Sequence, residues 1–481
     1  MRFNSIISLV FLVCIAFGVS AKSAIKIEKI KVKAPFKMPA IQQPVFPDAQ
    51  FNIKDFGAEE ANIEKNKAAI KHAIEACHKA GGGSVVVPSG EWLSGKIHFK
   101  SNVNLHLEEG ATLLFTSNPK EYLPAVKSTW EGMECYNYSP LIYAYECENV
   151  AITGKGMIRA KLDTWKVWFK RPPAHMNALK ELYNMAAKDV PVEKRQMAVG
   201  ENNFRPQFIQ FNRCKRVKIE GIKVRNSPFW TIHLYMSKHV VVRGVDVHAH
   251  GHNNDGVDPE MTQNLLIENC IFDQGDDAIA IKAGRNQDAW RLNMPCRNIV
   301  IRNCTIKEGH QLAAIGSEIS GGVENVYIHD CKFPKKKRSA LKHLVFIKTN
   351  ERRGGFVRNI FVERIEAGKT QRGILGIETN VMYQWRDLVP TYEKRFTKIS
   401  NVHINDVHLE ESGSSAVKLL SASEQPIENI TVTNCSVKKV GQKPIRVKKV
   451  NNLKITNCQF GQFDIKKRKW GTKEPATFNQ F

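Results

Sequence analysis

A short pattern of polar and apolar positions recurs along the chain from about residue 149 onward. Each copy has an Asn, an aliphatic residue, any residue, a second aliphatic residue and then a polar residue before the next turn. Apolar residues at every second position are typical of a β-strand with one buried face. The copies begin at Asn149, Asn264, Asn298, Asn325, Asn359, Asn401, Asn429 and Asn452, with weaker copies at Lys215 and His239.

The spacing of these copies predicts an all-β fold, a right-handed parallel β-helix. From Asn264 onward the intervals run from 23 to 42 residues, which fits coils of a few short strands with loop insertions. In such a solenoid each coil buries its inward residues against its neighbours, and the loops emerge in a few rows.

Two segments depart from the strand pattern. Residues 66–79 have a helical apolar face, with Asn66 as the N-cap and three glycines after the last turn, which predicts an N-terminal capping helix. Residues 165–200 contain Trp165, Trp168, a double proline and a helix-like stretch at 177–188. Since a long insertion in a solenoid is usually a loop on its binding face, we predict one β-helix domain over 22–481 with this insertion beside the functional cleft.

The N-terminus has the features of a secretory signal. Arg2 precedes an apolar stretch at 6–17, and the small residues before Lys22 fit cleavage after residue 21. We therefore expect export to the periplasm or the extracellular space. The apolar stretch is short for a membrane span, and a lipoprotein attached through Cys14 is the alternative, which Val13 disfavours.

The net charge of the chain indicates which class of partner it binds after export. There are 71 Lys and Arg against 47 Asp and Glu, a net charge of +24. Such a charge attracts polyanions, so an acidic polysaccharide is the expected partner. Nucleic acid is the general alternative for a basic protein, but few aromatic residues lie among the basic runs, and we expect no nucleic-acid binding.

Ten cysteines remain after cleavage, an even number that would suit disulfides in an oxidising compartment. Their positions argue for small buried thiols instead, because five of them occupy the same place in the repeat. These are Cys270, Cys304, Cys331, Cys435 and Cys458. No pair has the spacing of metal ligands, so we predict no metal site and no cofactor.

Two acidic segments about twenty residues apart, 253–258 and 275–278, carry the candidate chemistry. A turn explains one such segment, but two at coil spacing would stack on one face. Asp276 and Asp277 can share a cleft only if the backbone bends, which Gly275 allows. Crowded carboxylates cannot ionise independently, so one can hold a proton while another is ionised, as glycosidic cleavage requires.

These segments resemble glycoside hydrolase family 28, the polygalacturonases and related pectin hydrolases. Residues 253–258 are similar to Asn-Thr-Asp-Gly-x-Asp, 275–277 to Gly-Asp-Asp, 309–310 to Gly-His-Gly, 315–317 to Ile-Gly-Ser and 347–348 to part of Arg-Ile-Lys. Upstream, 55–58 and 101–103 resemble the opening coils of the same pectin-active superfamily.

The resemblance implies an exported, inverting and monomeric hydrolase of galacturonate linkages in pectin, an acidic plant cell-wall polysaccharide, or in its oligosaccharides. Asp276 would be the general acid, and Asp255 and Asp277 would hold and activate the attacking water. His310 would set the protonation of the acid. Asn253 and Lys348 would bind the substrate.

The chain departs from the family pattern at two positions. Phe346 stands where the family has Arg, and Gln311 replaces a Gly. Arg352, Arg353 or the 165–200 insertion could supply the missing cation. The insertion favours a closed, pocket-like cleft, hence exo action on short chains or on rhamnogalacturonan-type backbones. A lyase and a non-catalytic polysaccharide-binding solenoid are the competing interpretations.

Overall fold

The computed structural model describes residues 25–334, 341–382, 393–422, 424–472 and 474–480. The predicted signal segment, 1–21, lies outside these residues. The described chain is a parallel β-helix, as the Asn repeat predicts, and its coils supply strands to three stacks. The first stack is β6 (Ile97–His98), β11 (Ile142–Tyr145), β14 (Ile209–Asn212), β17 (Ile232–Tyr235), β20 (Val257–Glu260), β23 (Ile279–Ile281), β26 (Gln311–Ile315), β29 (His343–Lys348), β31 (Gly373–Glu378) and β33 (Val417–Leu420).

The second stack contains the repeated Asn pattern. It is β3 (Gln50–Asn52), β4 (Gly83–Val87), β7 (Val103–Leu107), β12 (Glu148–Gly154), β15 (Lys215–Glu220), β18 (Lys238–Arg243), β21 (Gln263–Glu268), β24 (Cys296–Arg302), β27 (Val323–His329), β30 (Phe356–Thr370), β32 (Lys398–Ser412) and β34 (Ile427–Thr433).

The third stack completes each coil. It is β5 (Gly90–Ser94), β8 (Ala111–Phe115), β13 (Met157–Ala160), β16 (Lys223–Arg225), β19 (Asp246–Ala249), β22 (Ile271–Gln274), β25 (Thr305–Glu308), β28 (Lys332–Phe333) and β35 (Ser436–Val440). The long β30 and β32 continue into this stack, and β36 (Ile445–Phe460) pairs with strands of all three.

The remaining strands are antiparallel, and the helices lie outside the coils. The strands are β1 (Lys26–Ile30), β2 (Ile41–Val45), β9 (Val126–Trp130), β10 (Met133–Asn137), β37 (Phe463–Trp470) and β38 (Ala476–Gln480). The helices are α1 (Ile63–Lys79), α2 (Asp163–Trp168), α3 (Pro173–Ala187) and α4 (Asn286–Leu292), with 3-10 turns at Ile53–Phe56, Pro119–Tyr122 and Val192–Lys194. Among the described helices, none combines the length and the apolar character that crossing a membrane requires.

The repeated Asn side chains form a ladder along the second stack. Asn298 donates to Asn264, Asn325 to Asn298 and Asn359 to Asn325, each over 3.0 Å. These residues adopt φ angles between 57° and 59°, a left-handed conformation that Asn tolerates better than most residues. The ladder explains why Asn begins each copy of the repeat.

The interior of the coils is one continuous apolar cluster that extends from Ile53 to Ile465. All ten described cysteines are buried and free, which confirms the prediction of thiols for the repeated positions. Cys304 contacts Cys270 and Cys331 in neighbouring coils. Stacked thiols therefore fill one line of the core.

Helix α1 packs against the first coils through Ile70, Ile74 and Cys77, at the N-terminal end of the solenoid. The predicted N-cap was wrong. The helix begins one turn earlier, and Asn62 accepts a hydrogen bond from the Lys65 amide over 3.2 Å. Asn66 is buried within the helix, where it donates to the Leu93 carbonyl over 3.0 Å.

The 165–200 insertion is helical over α3, which begins four residues before the predicted stretch at 177–188. It packs with the β9–β10 hairpin in a second apolar cluster that includes Leu179, Leu182 and Trp130. The insertion and the hairpin together form a wall beside the first stack. The sequence pattern did not indicate this hairpin.

Candidate active site

The first stack places the acidic segments on successive rungs. Val257 is in register with Ile279, Ile279 with Ala313, and Ala313 with Val345. The residues just before these strands therefore share one side of the solenoid. A cavity of about 310 Å³ opens there, and its lining includes all six residues predicted to be catalytic or substrate-binding. These are Asn253, Asp255, Asp276, Asp277, His310 and Lys348.

The backbone bends between β22 and β23, so adjacent Asp276 and Asp277 both reach the cavity. Gly275 was expected to supply a special backbone conformation, but its φ lies outside the left-handed region. Glycine is needed for a different reason. A Cβ at this position would lie 2.6 Å from the amide nitrogen of Gly251 and 2.9 Å from its carbonyl oxygen. The two acidic coils thus pack backbone against backbone.

Asp255 belongs to a buried charge cluster around Lys282. The Lys282 ammonium lies 3.3 Å from Asp255, 3.4 Å from Asp258 and 3.8 Å from Glu318, and 4.5 Å from the ring centre of Trp230. Burial raises the pKa of Asp255 to about 7, helped by the charges of Asp276 and Asp277 and opposed by Lys282. The Asp255 carboxyl group therefore changes between its protonated and ionised forms near neutral pH.

Asp276 behaves in the opposite way because it is paired with His310. The Nδ1 atom of His310 lies 2.9 Å from Oδ1 of Asp276. Burial favours the neutral acid, but the hydrogen bond and charge of His310 outweigh it and lower the pKa of Asp276 to about 2. The same hydrogen bond raises the pKa of His310. Without substrate, the proton of this pair rests on the imidazole.

Asp277 is held by Lys348, which was expected to bind a sugar carboxylate. The Lys348 ammonium donates to Oδ2 of Asp277 over 3.1 Å, and only 14% of its side chain is exposed. Lys348 still lines the cavity. It can therefore balance the charge of Asp277 and meet a ligand with the same ammonium.

The Asn253 side chain is fixed by two arginines. Its Oδ1 accepts hydrogen bonds from Arg205 over 3.0 Å and from Arg171 over 3.2 Å. Arg205 also donates to the His252 carbonyl over 2.7 Å and lies 4.6 Å from the ring centre of Phe169. Burial lowers the pKa of Arg205 to about 9. Arg205 positions the backbone that leads to Asp255.

The two ends of the cavity carry different groups. Glu131, at the tip of the β9–β10 hairpin, and Arg171, from the insertion, lie on the N-terminal side of the coil order. Lys342, Phe346 and Arg372 lie on the C-terminal side. Phe346 thus faces the cavity at the position where the family pattern has Arg. Its ring stacks on His343 with 4.7 Å between centroids.

The cations that line the cavity, besides the motif residues, belong to the insertion and to neighbouring coils. Arg171 lines the cavity, whereas Arg352 and Arg353 do not. Arg353 is buried and donates to Ser317 and Asn286. Lys342 and Arg372 also line the cavity, and their side chains form no hydrogen bond or ion pair within the described ranges.

Several of these residues lie in no motif. They are Glu131, Arg171, Arg205, Lys282, Glu318, Lys342 and Arg372. One sequence signal could have found Lys282, which directly follows the apolar strand β23, where a charge needs partners. The others come together only through contacts between distant coils and the insertion.

One group of side chains in the cavity has the spacing of metal ligands. One atom each of Asp276, Asp277 and His310 lies within 4.8 Å of the others. The ammonium of Lys348 is already bound to Asp277, and this positive charge opposes a cation. The cluster therefore fits proton transfer better than metal binding.

Comparison with known proteins identifies the class of enzyme. Residues 193–459, more than half of the chain, match the model for glycosyl hydrolases family 28. The chain belongs to this family. It is therefore a glycoside hydrolase, and the match includes both acidic segments and His310 while most of the insertion precedes it.

Individual relatives and a solved structure extend the comparison. A hyperthermoactive exopolygalacturonase from Thermotoga maritima has a crystal structure that matches with a TM-score of 0.82 and 33% identity, over 91% of this chain and 97% of that one. A probable polygalacturonase from Vitis vinifera is 26% identical over 80% of this chain and 74% of that protein. An exo-poly-alpha-D-galacturonosidase from Dickeya chrysanthemi is 28% identical over 57% of this chain and 48% of that protein.

Proposed function

We propose that this family 28 enzyme is an exported, inverting hydrolase that releases galacturonate from the ends of pectic chains or oligosaccharides. The observation that carries the proposal is the grouping of Asp255, Asp276 and Asp277 in one cavity, each with a different charge partner. Hydrolysis of a glycosidic bond needs one carboxyl group that donates a proton and another that activates water.

In the proposed reaction, the proton starts on His310 Nδ1 and passes through Asp276 to the oxygen of the leaving sugar. Their 2.9 Å contact suits this transfer. A water between Asp255 and Asp277 attacks the anomeric carbon and gives its proton to one of these carboxylates. Lys348 holds the Asp277 carboxylate in place through its 3.1 Å hydrogen bond. The C–O bond of the leaving sugar breaks as the C–O bond to water forms.

Several cations support an acidic substrate. Lys342 and Arg372 face the cavity, and among the described residues their side chains form no close ion pair. Burial lowers the pKa of Lys342, although the charges of Asp276 and Asp277 oppose this shift. Cations crowded together are stabilised by an incoming anion, and a uronate carboxylate is such an anion.

Exo action is supported by the shape of the N-terminal side of the cavity. The insertion and the β9–β10 hairpin bring Arg171 and Glu131 against it, and these side chains lie 3.6 Å apart. A wall there would block a chain that continues past the cavity. The names of the Thermotoga and Dickeya relatives describe exo-acting enzymes, which agrees with this proposal.

The inverting course rests on the resemblance. Export rests on the predicted signal segment at 1–21, and N-terminal sequencing of the protein from its native culture tests it. The expected first residue is Lys22.

A second substrate is favoured by Phe346. An apolar ring in the cavity, stacked on His343, suits a sugar without a carboxylate at that subsite. This would be the arrangement in a rhamnogalacturonan-type backbone. Oligogalacturonates and rhamnogalacturonan oligosaccharides should therefore be compared as substrates for the same preparation.

Mass analysis of the products tests the proposed function. The protein should release single galacturonate units from oligogalacturonates, and Asp276→Asn should reduce the rate by about 10²–10⁴-fold without unfolding the chain. Lys155→Gln, a substitution at an exposed surface ion pair, serves as the control. An unsaturated product that absorbs ultraviolet light would show a lyase. Binding without any product would show a non-catalytic solenoid.

A further inference from the structure

A cluster of two histidines and one aspartate lies on the third stack, outside the cavity. His248 and the residue just after β19, His250, project from the same face, because alternate residues of a strand share a face. His248 is in register with Asp273 of β22. The Asp273 carboxylate bridges the two imidazoles, 3.2 Å from His248 Nδ1 and 2.7 Å from His250 Nε2.

We propose that His248, His250 and Asp273 form a binding site for a zinc-class divalent metal ion. One ligand atom from each residue lies within 4.8 Å of the others. Zinc bonds of about 2.0–2.2 Å place the ligands of a tetrahedral site about 3.4 Å apart. The three atoms therefore need only small rotations to surround one ion.

The chemistry of the donors selects the metal. Two neutral imidazoles and one carboxylate suit zinc, copper or nickel, whereas magnesium and calcium prefer oxygen ligands alone. The second nitrogen of each ring can carry the remaining proton, and the two side chains are 49% and 44% exposed. Solvent can therefore supply the fourth ligand.

The charges around the cluster allow a cation. Arg225 is in register with His248, but its guanidinium lies 3.0 Å from the Asp246 carboxylate, which balances its charge. On the other side, Glu308 is in register with Asp273 and adds a second carboxylate to the same row. Asp273 and Glu308 thus place two carboxylates in this row, while Arg159, Lys161 and Lys166 line the groove that His250 borders.

The position of the cluster gives metal binding a structural consequence. His250 is followed by Gly251 and the segment that leads to Asp255, and Asp273 is followed by Gln274, Gly275 and Asp276. A metal ion held between His250 and Asp273 would tie these two coils together where Gly251 and Gly275 already touch. The ion would thus fix the spacing of the acidic segments without contacting substrate.

Calorimetric titration of the full chain with zinc chloride tests the site. One ion should bind with a Kd on the order of 1–10 µM, and His248→Gln, His250→Gln or Asp273→Asn should each weaken binding at least tenfold. The matched control is His408→Gln, because His408 forms an exposed pair with Asp406 at 2.9 Å without a second imidazole. This control should bind zinc as the parent does.

Hydrogen exchange provides a measurement that needs no variant. Zinc should slow amide exchange in residues 246–253 and 271–277 of the parent. The proposal would be overturned if zinc did not bind to the parent or if binding survived each of the three substitutions. It would also be overturned if only His310→Gln abolished binding. The last result would assign the ion to the cluster in the cavity instead.

Discussion

Asp255 and Asp276 face the same cavity, but their pKa values are shifted in opposite directions. Burial raises the pKa of Asp255 to about 7, while His310 holds that of Asp276 at about 2. Crowding of carboxylates was predictable from the sequence, and so was a raised pKa for one of them. The resemblance makes Asp276 the proton donor, but the raised pKa is that of Asp255. The pattern could not show this difference, because the charge partners Lys282 and His310 come from other coils.

The raised pKa of Asp255 makes stability depend on pH. Between about pH 4 and pH 7, the folded chain keeps a proton on Asp255 that the unfolded chain has lost, so this residue lowers stability as pH rises. Asp255→Asn removes the effect. Relative to the parent, the variant should gain roughly 1–4 kcal/mol of unfolding free energy between pH 4.5 and pH 8.

Urea unfolding at several pH values measures this gain. Asp406→Asn, at an exposed carboxylate, is the control for removing a surface charge. A flat difference between Asp255→Asn and the parent would contradict the burial of an ionisable group at this position.

Lys342 and Arg372 test the proposed recognition of a carboxylate. Replacing both with Gln should raise KM for oligogalacturonates by about tenfold or more, with a smaller change in kcat, because charge-assisted hydrogen bonds contribute about 1.5–3 kcal/mol. Methyl-esterified oligosaccharides, which lack the charge, should respond little. An equal loss on both substrates would mean that the substitutions damage the site itself.

The strands were the most predictable elements, because alternation of apolar residues is a local signal. Each Asn copy lies in a strand of the second stack, and the last, at Asn452, lies in the part of β36 that pairs with this stack. The predicted N-cap of α1 lies one turn after the observed one. Asn62 and Asn66 are both plausible caps in the sequence, and only tertiary contacts bury Asn66. The β9–β10 hairpin lacks the repeat, and its packing depends on the distant helix α3.

The Asn ladder should contribute measurably to stability. Asn325 donates to Asn298, accepts from Asn359 and has a φ of 57°. Asn325→Ala loses both hydrogen bonds and strains the backbone, so we expect a loss of about 2–4 kcal/mol. Asn325→Gly loses the same bonds without the strain and should be less damaging in thermal unfolding. Equal stability of the two variants would contradict the role of the left-handed backbone.

At the scale of the whole molecule, the stacking of coils brings motifs that follow one another in the sequence together in one site. Motifs separated by one coil in the sequence become neighbours, and this is why the six candidate residues could be named in advance and all line one cavity. The parts that close and charge the cavity, including Arg171 and Arg372, belong to loops with no shared period. Their positions depend on packing between distant segments, which a local pattern does not encode.

The anomeric form of the first product tests the central claim most directly. Proton NMR recorded during hydrolysis of an oligogalacturonate shows which anomer appears before mutarotation. Single displacement by water predicts the anomer opposite to the substrate linkage, and its formation should depend on Asp276. Product with the original anomeric configuration would contradict the roles proposed for Asp255, Asp276 and Asp277.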